Sequence, residues 1–469
     1  MSNIVVTTSF IFFLISFVIV GILATFKKKN SAGDYYLAGQ SVGVWPTALS
    51  IIASSNSGFM FVGLIGEAYS NGISCLWLMG GWIFGDYLTW MLGLQKKLRL
   101  HLKGDFLTVP ALVSKGNLPL RQMLSLIVII FLGLYAAAQL AAGSKSLGVL
   151  FGLDYTTGIF LGATVVGLYC FAGGIRASIW TDVIQCIVMF LGMFLLLGTA
   201  IYQIGGFEQL ITSLSSIDPQ LINWYPVDAK YGLFLFLLGW ICTGMGTIGQ
   251  PHIIIRSLAI KNPTELDKAK NICVLWNAVF AIGTIAIGLT ARVLLPKSGI
   301  DPEMAMPLLA QMLLPDILVG MMLASLFAAI ISTADSLILS CSASLTHDLI
   351  PKMEKTMKGV KTGTILVLVI SMVLAIFDSN VFALVTFSWS MMATSLSPLI
   401  IAKAFGFRLP EKYLLLMVSL GPISALTWRS FELHTIIAET FIGFLVSALL
   451  FLFAILPQLN KQKLIKELP

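Results

Sequence analysis

Residues 53–58, Ala-Ser-Ser-Asn-Ser-Gly, interrupt the second apolar stretch of the chain close to the middle of a predicted membrane span. Ser and Asn side chains offer the backbone alternative hydrogen bonds, and glycine tolerates non-helical dihedral angles. Small residues on one helix face often serve the packing of transmembrane helices. This run points all round a helix, so packing of one face does not explain it. The pattern predicts a broken helix.

A second interruption ends the seventh apolar stretch, where residues 244–251 read Gly-Met-Gly-Thr-Ile-Gly-Gln-Pro. Glycines and a proline this close together argue against a continuous helix. The two interruptions lie five predicted spans apart, so the two segments run through the membrane in opposite directions. Interrupted spans at corresponding positions of inverted repeats mark the solute and ion site of secondary transporters. Irregular backbone at this depth is tolerated where it lines a cavity or is buried in protein.

The composition of the whole chain indicates a membrane protein. Of the 469 residues, 57% are hydrophobic and 11% are charged, and the mean hydropathy is +0.92. A soluble domain carries about 25% charged residues, so these values exclude a soluble enzyme and a nucleic-acid-binding protein. The net charge is +7, and the basic residues lie in short loops between apolar runs. In that position they indicate how the helices are oriented across the membrane.

The apolar runs predict about 13 transmembrane helices. They are residues 6–26, 44–69, 73–95, 121–143, 155–172, 178–203, 230–250, 271–295, 313–339, 363–378, 380–404, 412–428 and 435–456. Three lysines at 27–29 follow the first run, so the positive-inside rule places the N-terminus outside and the C-terminus inside. About 24 of the basic residues then fall in inner loops, Arg256 among them, while Lys145 is assigned to an outer loop.

The chain is predicted to form a single transmembrane domain over residues 1–469. Residues 44–203 and 230–404 would be the inverted repeats, and residues 1–30 and 412–456 would be peripheral helices. The six cysteines show no CxxC or metal-ligand spacing, so we expect them to be buried thiols.

Three acidic residues, Asp86, Asp182 and Asp335, lie within predicted spans, where charged side chains are costly and usually functional. Asp335 and Ser336 follow Ser332 at i+3 and i+4, with Thr333 between, so hydroxyl and carboxylate oxygens lie within about one turn of the ninth span. This pattern fits a sodium site. It fits equally a polar helix-packing patch whose hydroxyls bond back to their own helix.

Four motifs resemble those of the sodium/solute symporter family, which includes bacterial proline, sialic-acid, pantothenate and sugar symporters. They are residues 33–43 (Gly-Asp-Tyr-Tyr-Leu-Ala-Gly-Gln-Ser-Val-Gly), 171–182 (Phe-Ala-Gly-Gly-Ile-Arg-Ala-Ser-Ile-Trp-Thr-Asp), 249–256 (Gly-Gln-Pro-His-Ile-Ile-Ile-Arg) and 328–348. The third looks most like the proline-symporter branch. The resemblance implies an all-α integral membrane protein with a LeuT-type 5+5 inverted repeat, 13 helices and an outer N-terminus.

The resemblance also implies Na+ as the coupling ion, bound between the broken second span and the ninth. Carried over by motif, the ligands of this first site are the carbonyls of Ala53, Asn56 and Ala329 and the hydroxyls of Ser332 and Thr333. A second sodium site, as in some relatives, would use Asp182, Ser332, Asp335 and Ser336. Asp335 replaces a small hydroxyl residue of those relatives. It would either strengthen a cation site or carry a proton.

The solute pocket departs from the pattern of the proline symporters. Ser55 stands where they have an acid, and Thr243 and Thr247 align with their Trp and Tyr, so the pocket looks more polar than a proline site. Asp86 stands where relatives tend to have a small residue, and it could pair a cationic group of a solute or face water. The solute candidates are Ser54, Ser55, Ser57, Asp86, Tyr135, Gln139, Trp240, Thr243, Thr247, Gln250, Phe387 and Trp389.

The expected function is sodium-coupled uptake of a small organic solute, such as an amino acid or a carboxylate, by alternating access in a bacterial inner membrane. Two alternatives stay open: proton-coupled symport through Asp182 or Asp335, and a transporter-like solute sensor. Catalysis is not expected, because no Ser/His/Asp set or metal constellation gathers on one membrane face. The expected partners are the solute and the lipid bilayer, with no nucleic acid and no obligate protein partner.

Overall fold

The computed structural model describes residues 2–25, 34, 37–101, 107–295 and 299–466. Within these ranges the chain is almost entirely helical and contains no β-strand. The first predicted motif falls partly on residues 33, 35 and 36, which lie outside the described residues.

The fold is built from long apolar helices joined by short connections. The principal helices are α1 (Ser2–Thr25), α2 (Val44–Ser55), α3 (Ile65–Asn71), α4 (Cys75–Met91), α5 (Leu118–Phe151), α6 (Tyr155–Ile204), α7 (Leu233–Met245), α8 (Pro251–Leu258), α9 (Leu266–Leu294), α10 (Asp316–Ala343), α11 (Met357–Phe377), α12 (Val381–Ala404), α13 (Glu411–Ser430) and α14 (Glu439–Lys466). Shorter helices lie at Leu94–His101, Val109–Ser114, Phe207–Ile217, Ala305–Leu313 and Pro351–Glu354, and π-helical turns lie at Phe59–Leu64 and Ser344–Leu349.

Several of these helices are long and apolar enough to cross a membrane. Among the described residues eight meet that test, and the number rises to ten if each of two bent pairs forms one span. The predicted fifth and sixth spans both lie in α6, where Gly174 has a φ of 64° and interrupts the run between them. The all-helical membrane architecture is confirmed, while the count of 13 spans and the sides of the termini stay predictions.

Both predicted helix interruptions are confirmed. The helix axis turns by 53° between Ser55 and Phe59, and by 55° between α7, with the short turn that extends it, and α8. At the first break, a Cβ on Gly58 would lie 2.9 Å from the Cβ of Ala142, so the approach of α5 requires glycine there. At the second break, Pro251 begins α8, a position where its missing N–H costs no helical hydrogen bond.

The helices α4 and α7 approach each other at two glycines. A Cβ on Gly85 would overlap the carbonyl oxygen of Ile241, and a Cβ on Gly244 would overlap the carbonyl oxygen of Trp82. Such backbone-to-backbone packing is available to membrane helices with small residues at the interface. It holds the segment that carries Trp82 and Asp86 against the end of α7, next to the second break.

Two charges predicted to lie in loops are instead in buried parts of helices, so those two assignments were wrong. Arg256 lies in α8, which packs inside the protein after the break, and its side chain is 1% exposed. Lys145 lies in α5, which continues to Phe151, and its Nζ contacts Asp301 at 2.7 Å and Glu303 at 2.6 Å. Hydropathy alone does not distinguish a charge in a loop from one with a buried partner.

Candidate functional site

The break of α2 lies beside the middle of α10. The Ser332 hydroxyl donates to the carbonyl oxygens of Ala53 and Ala329, at 2.9 and 3.1 Å. The Thr333 hydroxyl donates to the carbonyl oxygen of Ser54 at 3.2 Å. All of these residues are buried. The fold thus brings carbonyl and hydroxyl oxygens of both helices together at one point, and such neutral oxygens are ligands for hard cations.

The remaining residue predicted for the first sodium site, Asn56, lies directly after α2. Its backbone N–H donates to the Ile52 carbonyl at 2.8 Å, and its side-chain amide donates to Asn277 Oδ1 of α9 at 3.1 Å. Asn56 therefore ends the helix at the break and ties it to α9.

A buried charge cluster occupies the region of the predicted second sodium site. The Nη2 of Arg256 lies 3.0 Å from Asp182 Oδ2, and it donates to Ser336 Oγ at 2.5 Å. It also donates at 3.1 Å to the Ser178 hydroxyl, which donates to Asp335 Oδ1 at 3.2 Å. A guanidinium is permanently charged. The predicted second site therefore already contains a cation that belongs to the protein.

A small cavity of about 40 Å³ lies between the two helix breaks. It is lined by Ser55, Asn56, Phe59, Met60, Met79, Trp82, Ile83, Asp86, Thr247, Asn277 and Trp389. These residues come from the first break, from α4, from the turn after α7, from α9 and from α12. Helix breaks are where transporters of this architecture bind solute, so this cavity is the candidate solute site.

A layer of aromatic rings separates this cavity from a larger one. The Trp82 ring lies 4.9 Å from the ring of Trp389 and 5.4 Å from that of Phe59, between centroids. On the other side, Trp82 stacks on Trp240 at 6.0 Å and Phe59 stacks on Phe382 at 5.3 Å. The larger cavity, of about 350 Å³, is lined by Trp240 and Phe382 and by segments that the charge pattern predicts to be outer loops.

The predicted solute residues fall into three places. Ser55, Asp86, Thr247 and Trp389 line the small cavity. Trp240 and Thr243 line the larger one. The others line neither cavity, and all of them except Phe387 lie in the packing around the breaks. There the hydroxyls of Ser57 and Tyr135 lie 3.1 Å apart, and Gln139 Oε1 accepts from the Gly58 N–H at 2.8 Å.

Three further candidates are held by other contacts. The Gln250 side-chain amide donates to the Trp389 carbonyl at 3.2 Å. The Ser54 hydroxyl is buried without a hydrogen-bond partner in the described part of the chain, while the Ser54 carbonyl accepts from Thr333. Phe387 packs on Phe131 at 5.9 Å between ring centroids.

Several residues that the structure places at the site were not predicted from the sequence, among them Trp82, Asn277 and Arg256. Trp82 precedes Asp86 by one helical turn, so the helical period already puts the two on one face. Asn277 is an amide inside the predicted eighth span, away from its ends, and polar groups at membrane depth usually have a role. Arg256 was assigned to a loop because it lies between the predicted seventh and eighth spans, and nothing in the charge pattern identifies its partner Asp182.

Two broken helices around a cavity, with carbonyl and hydroxyl oxygens gathered beside one break, are the arrangement expected of a secondary transporter. Residues 35–413 match the Sodium:solute symporter family, and the chain belongs to that family. It is a multi-pass cell-membrane protein and a sodium-coupled symporter of a small solute, as predicted.

Curated relatives share most of the chain. It is 29% identical to the high-affinity proline transporter PutP of Bacillus subtilis over 455 residues, which cover 93% of this chain and 95% of that protein. It is 33% identical to the sodium/proline symporter of Staphylococcus aureus over 412 residues, which cover 83% of this chain and 79% of that protein.

Solved structures share the fold. A Na+-coupled sialic acid symporter in a substrate-bound outward-open state matches with a TM-score of 0.80 at 20% identity, over 96% of both chains. Mhp1, a nucleobase-cation-symport-1 family transporter in a closed conformation, matches with a TM-score of 0.56 at 12% identity, over 92% of this chain and 96% of that one. These matches confirm the predicted LeuT-type fold class.

Proposed function

We propose that the coupling sodium ion binds between the break of α2 and the middle of α10, and that the solute is carried in the cavity between the two breaks. The observation that carries this proposal is the contact of Ser332 with Ala53, because it joins the two elements that the ion would bridge. In the proposed site the Ser332 hydroxyl turns its hydrogen away, and the ion is held by the Ala53 and Ala329 carbonyls and the hydroxyl oxygens of Ser332 and Thr333.

Sodium in this position would couple to the solute through the backbone of the break. The ion fixes α2 against α10, and the residues just after Ala53 line the solute cavity. If sodium raises the affinity for solute, solute raises the affinity for sodium by the same factor. Each sodium ion that moves inward also gains about 2.3 kcal/mol per 100 mV of membrane potential. The proposed cycle moves the solute without a chemical reaction on it.

We propose further that one sodium ion is carried in each cycle. The guanidinium of Arg256 occupies the position predicted for a second sodium ion, because it contacts both Asp182 and Ser336. Two unit charges at about 4 Å repel by about 4 kcal/mol at the effective dielectric constant of a protein surface, and by more where burial lowers it. An additional sodium ion would therefore meet a fixed like charge there.

The test of the proposed sodium site is thermal unfolding of the purified chain in sodium against potassium. A ligand of the folded state stabilises it by about 2.7 kcal/mol at one hundred times its Kd. We expect sodium to raise the Tm of the wild type and to have little effect on Ser332→Ala. The matched control is Ser325→Ala, on the same helix, whose hydroxyl bonds to the carbonyls of Val188 and Met321 instead.

Full stabilisation of the Ser332→Ala variant by sodium would show that the site is misplaced. Uptake into proteoliposomes supplies the second measurement, with an inward sodium gradient against an inward proton gradient. If uptake depended on the proton gradient and ignored sodium, proton coupling through Asp182 or Asp335 would replace this proposal.

A further inference from the structure

Asp86 is a buried acidic residue with no charged partner among the residues that the structure describes. Its side chain lies in α4 and is 7% exposed, and its Oδ1 has no hydrogen-bond partner among the described residues. The polar groups beside it, the Thr247 hydroxyl and the Trp90 indole, are uncharged, and Thr247 already donates to the Gly244 carbonyl at 2.8 Å. Burial of a carboxylate without a counter-ion is costly, so a buried acid either binds a proton or is paired with a cation.

The walls around Asp86 are aromatic. Asp86 lines the small cavity together with Phe59, Trp82 and Trp389. The Trp82 ring lies between the other two, with its centroid 5.4 Å from that of Phe59 and 4.9 Å from that of Trp389. Aromatic faces attract organic cations through their quadrupole, and the attraction grows where water is excluded. A carboxylate beside three aromatic rings therefore has the chemistry of a receptor for an ammonium group.

The cavity offers no comparable receptor for a carboxylate. No Lys, Arg or His is among the described residues that line it. The amides that follow a helix break can bind an anionic group, but three of those after the first break have partners. The Gly58 N–H donates to Gln139 at 2.8 Å, the Phe59 N–H to the Ser57 hydroxyl at 3.1 Å and the Met60 N–H to the Ser57 carbonyl at 3.0 Å.

We propose that Asp86 is the docking group for an organic ammonium ion, so that the solute of this symporter is a cationic amine without a carboxylate. The inference rests on the proposed function, since it assigns the solute class of the same cavity. The cavity of about 40 Å³ is close to the room needed by a few water molecules. The solute therefore enters as the rings of Trp82 and Trp389 separate, and they close over it.

The experiment is thermal unfolding of the full chain in sodium with six probes. Choline, tetramethylammonium and ethanolamine are cations, proline and glycine betaine are zwitterions, and neohexyl alcohol is the neutral isostere of choline in which carbon replaces nitrogen. We expect at least one cation to raise the Tm, and the neutral and zwitterionic probes to have no effect. A zwitterion or the neutral isostere that stabilises the wild type as well as the cations would overturn the proposal.

The Asp86→Asn variant keeps the shape of the side chain and removes its charge. We expect the apparent affinity for the stabilising cation to fall by about 100-fold, as when one partner of a buried charge pair is truncated. The matched control is Asp378→Asn, an exposed acid whose carboxylate accepts from the Asn380 N–H and which lines neither cavity described above. Unchanged cation affinity in Asp86→Asn would overturn the proposal.

A second measurement needs no ligand. If Asp86 is unpaired in the free protein, Asp86→Asn removes a desolvated charge and raises the Tm in potassium. A lower Tm would mean that the carboxylate has a structural partner, and it would overturn the proposal.

Sodium distinguishes the two proposals. Asp86→Asn keeps the stabilisation by sodium if the ion binds at Ser332. If that stabilisation is lost, Asp86 holds sodium and the ammonium assignment falls. If sodium fails to stabilise even the wild type while a cationic probe still binds through Asp86, the proposed sodium site fails and the solute class stands.

Discussion

Arg256 and Asp182 form an ion pair from which water is excluded, with side chains 1% and 0% exposed. Desolvation makes the net stabilisation by such a pair small, but removal of one partner leaves a buried charge uncompensated. The Ser50 hydroxyl, which donates to Asp182 at 2.5 Å and accepts from Arg256 at 2.7 Å, completes the arrangement. At the scale of single residues, the pair explains how a predicted sodium ligand can serve instead to neutralise a guanidinium.

We therefore expect Asp182→Asn to destabilise the protein by about 3–5 kcal/mol, the cost of breaking a buried pair. Chemical denaturation in a mild detergent measures it. The control is Asp267→Asn, which removes the exposed partner of Lys96 and should cost about 0–1 kcal/mol.

Sodium titration of the wild type should be hyperbolic. A sigmoidal titration, together with a stable Asp182→Asn variant of lower sodium affinity, would mean that Asp182 binds a second ion.

At the scale of helices, residues 53–58 and 244–251 predict both breaks because their composition is incompatible with a membrane helix on any face. The sequence does not predict that α8 is buried after the second break. Its residues, Pro-His-Ile-Ile-Ile-Arg-Ser-Leu, are as polar as a loop that begins at a membrane surface. The burial depends on Asp182, Ser178 and Ser336, which come from α6 and α10. A local pattern cannot reveal a partner that only the tertiary fold supplies.

The contact of α4 with α7 supplies a prediction about helix packing. Gly85→Ala places a methyl group against the backbone of Ile241, and we expect a loss of about 1–3 kcal/mol from overpacking. The control on the same helix is Gly80→Ala, where no atom lies within 4 Å of the added Cβ. Alanine there should be neutral or stabilising by about 0.5–1 kcal/mol. Thermal unfolding of the two variants measures the difference, and equal Tm values would contradict the packing.

At the scale of the whole molecule, the described helices agree with the predicted class of membrane protein. The side of the membrane on which each loop lies is inferred only from the distribution of basic residues. The positive-inside rule counts residues in short loops, and the burial of Arg256 and Lys145 removes one count from each side. The remaining basic residues still lie mostly in predicted inner loops and rarely in outer loops, which favours an outer N-terminus. The larger cavity would then open outward, and the aromatic layer around Trp82 would separate the solute site from the outer face.

Cysteine labelling tests this orientation against a low background. All the native cysteines are free and buried: Cys75, Cys170, Cys186, Cys242, Cys273 and Cys341. Lys230 and Lys358 are exposed, on segments predicted to be outer and inner. We expect a membrane-impermeant maleimide to label Lys230→Cys in intact cells, and Lys358→Cys only after permeabilisation. If the number of spans between these two positions were wrong by one, both would lie on the same side of the membrane. Equal labelling in intact cells would therefore contradict the predicted topology. The reverse labelling pattern would place the larger cavity on the cytoplasmic side.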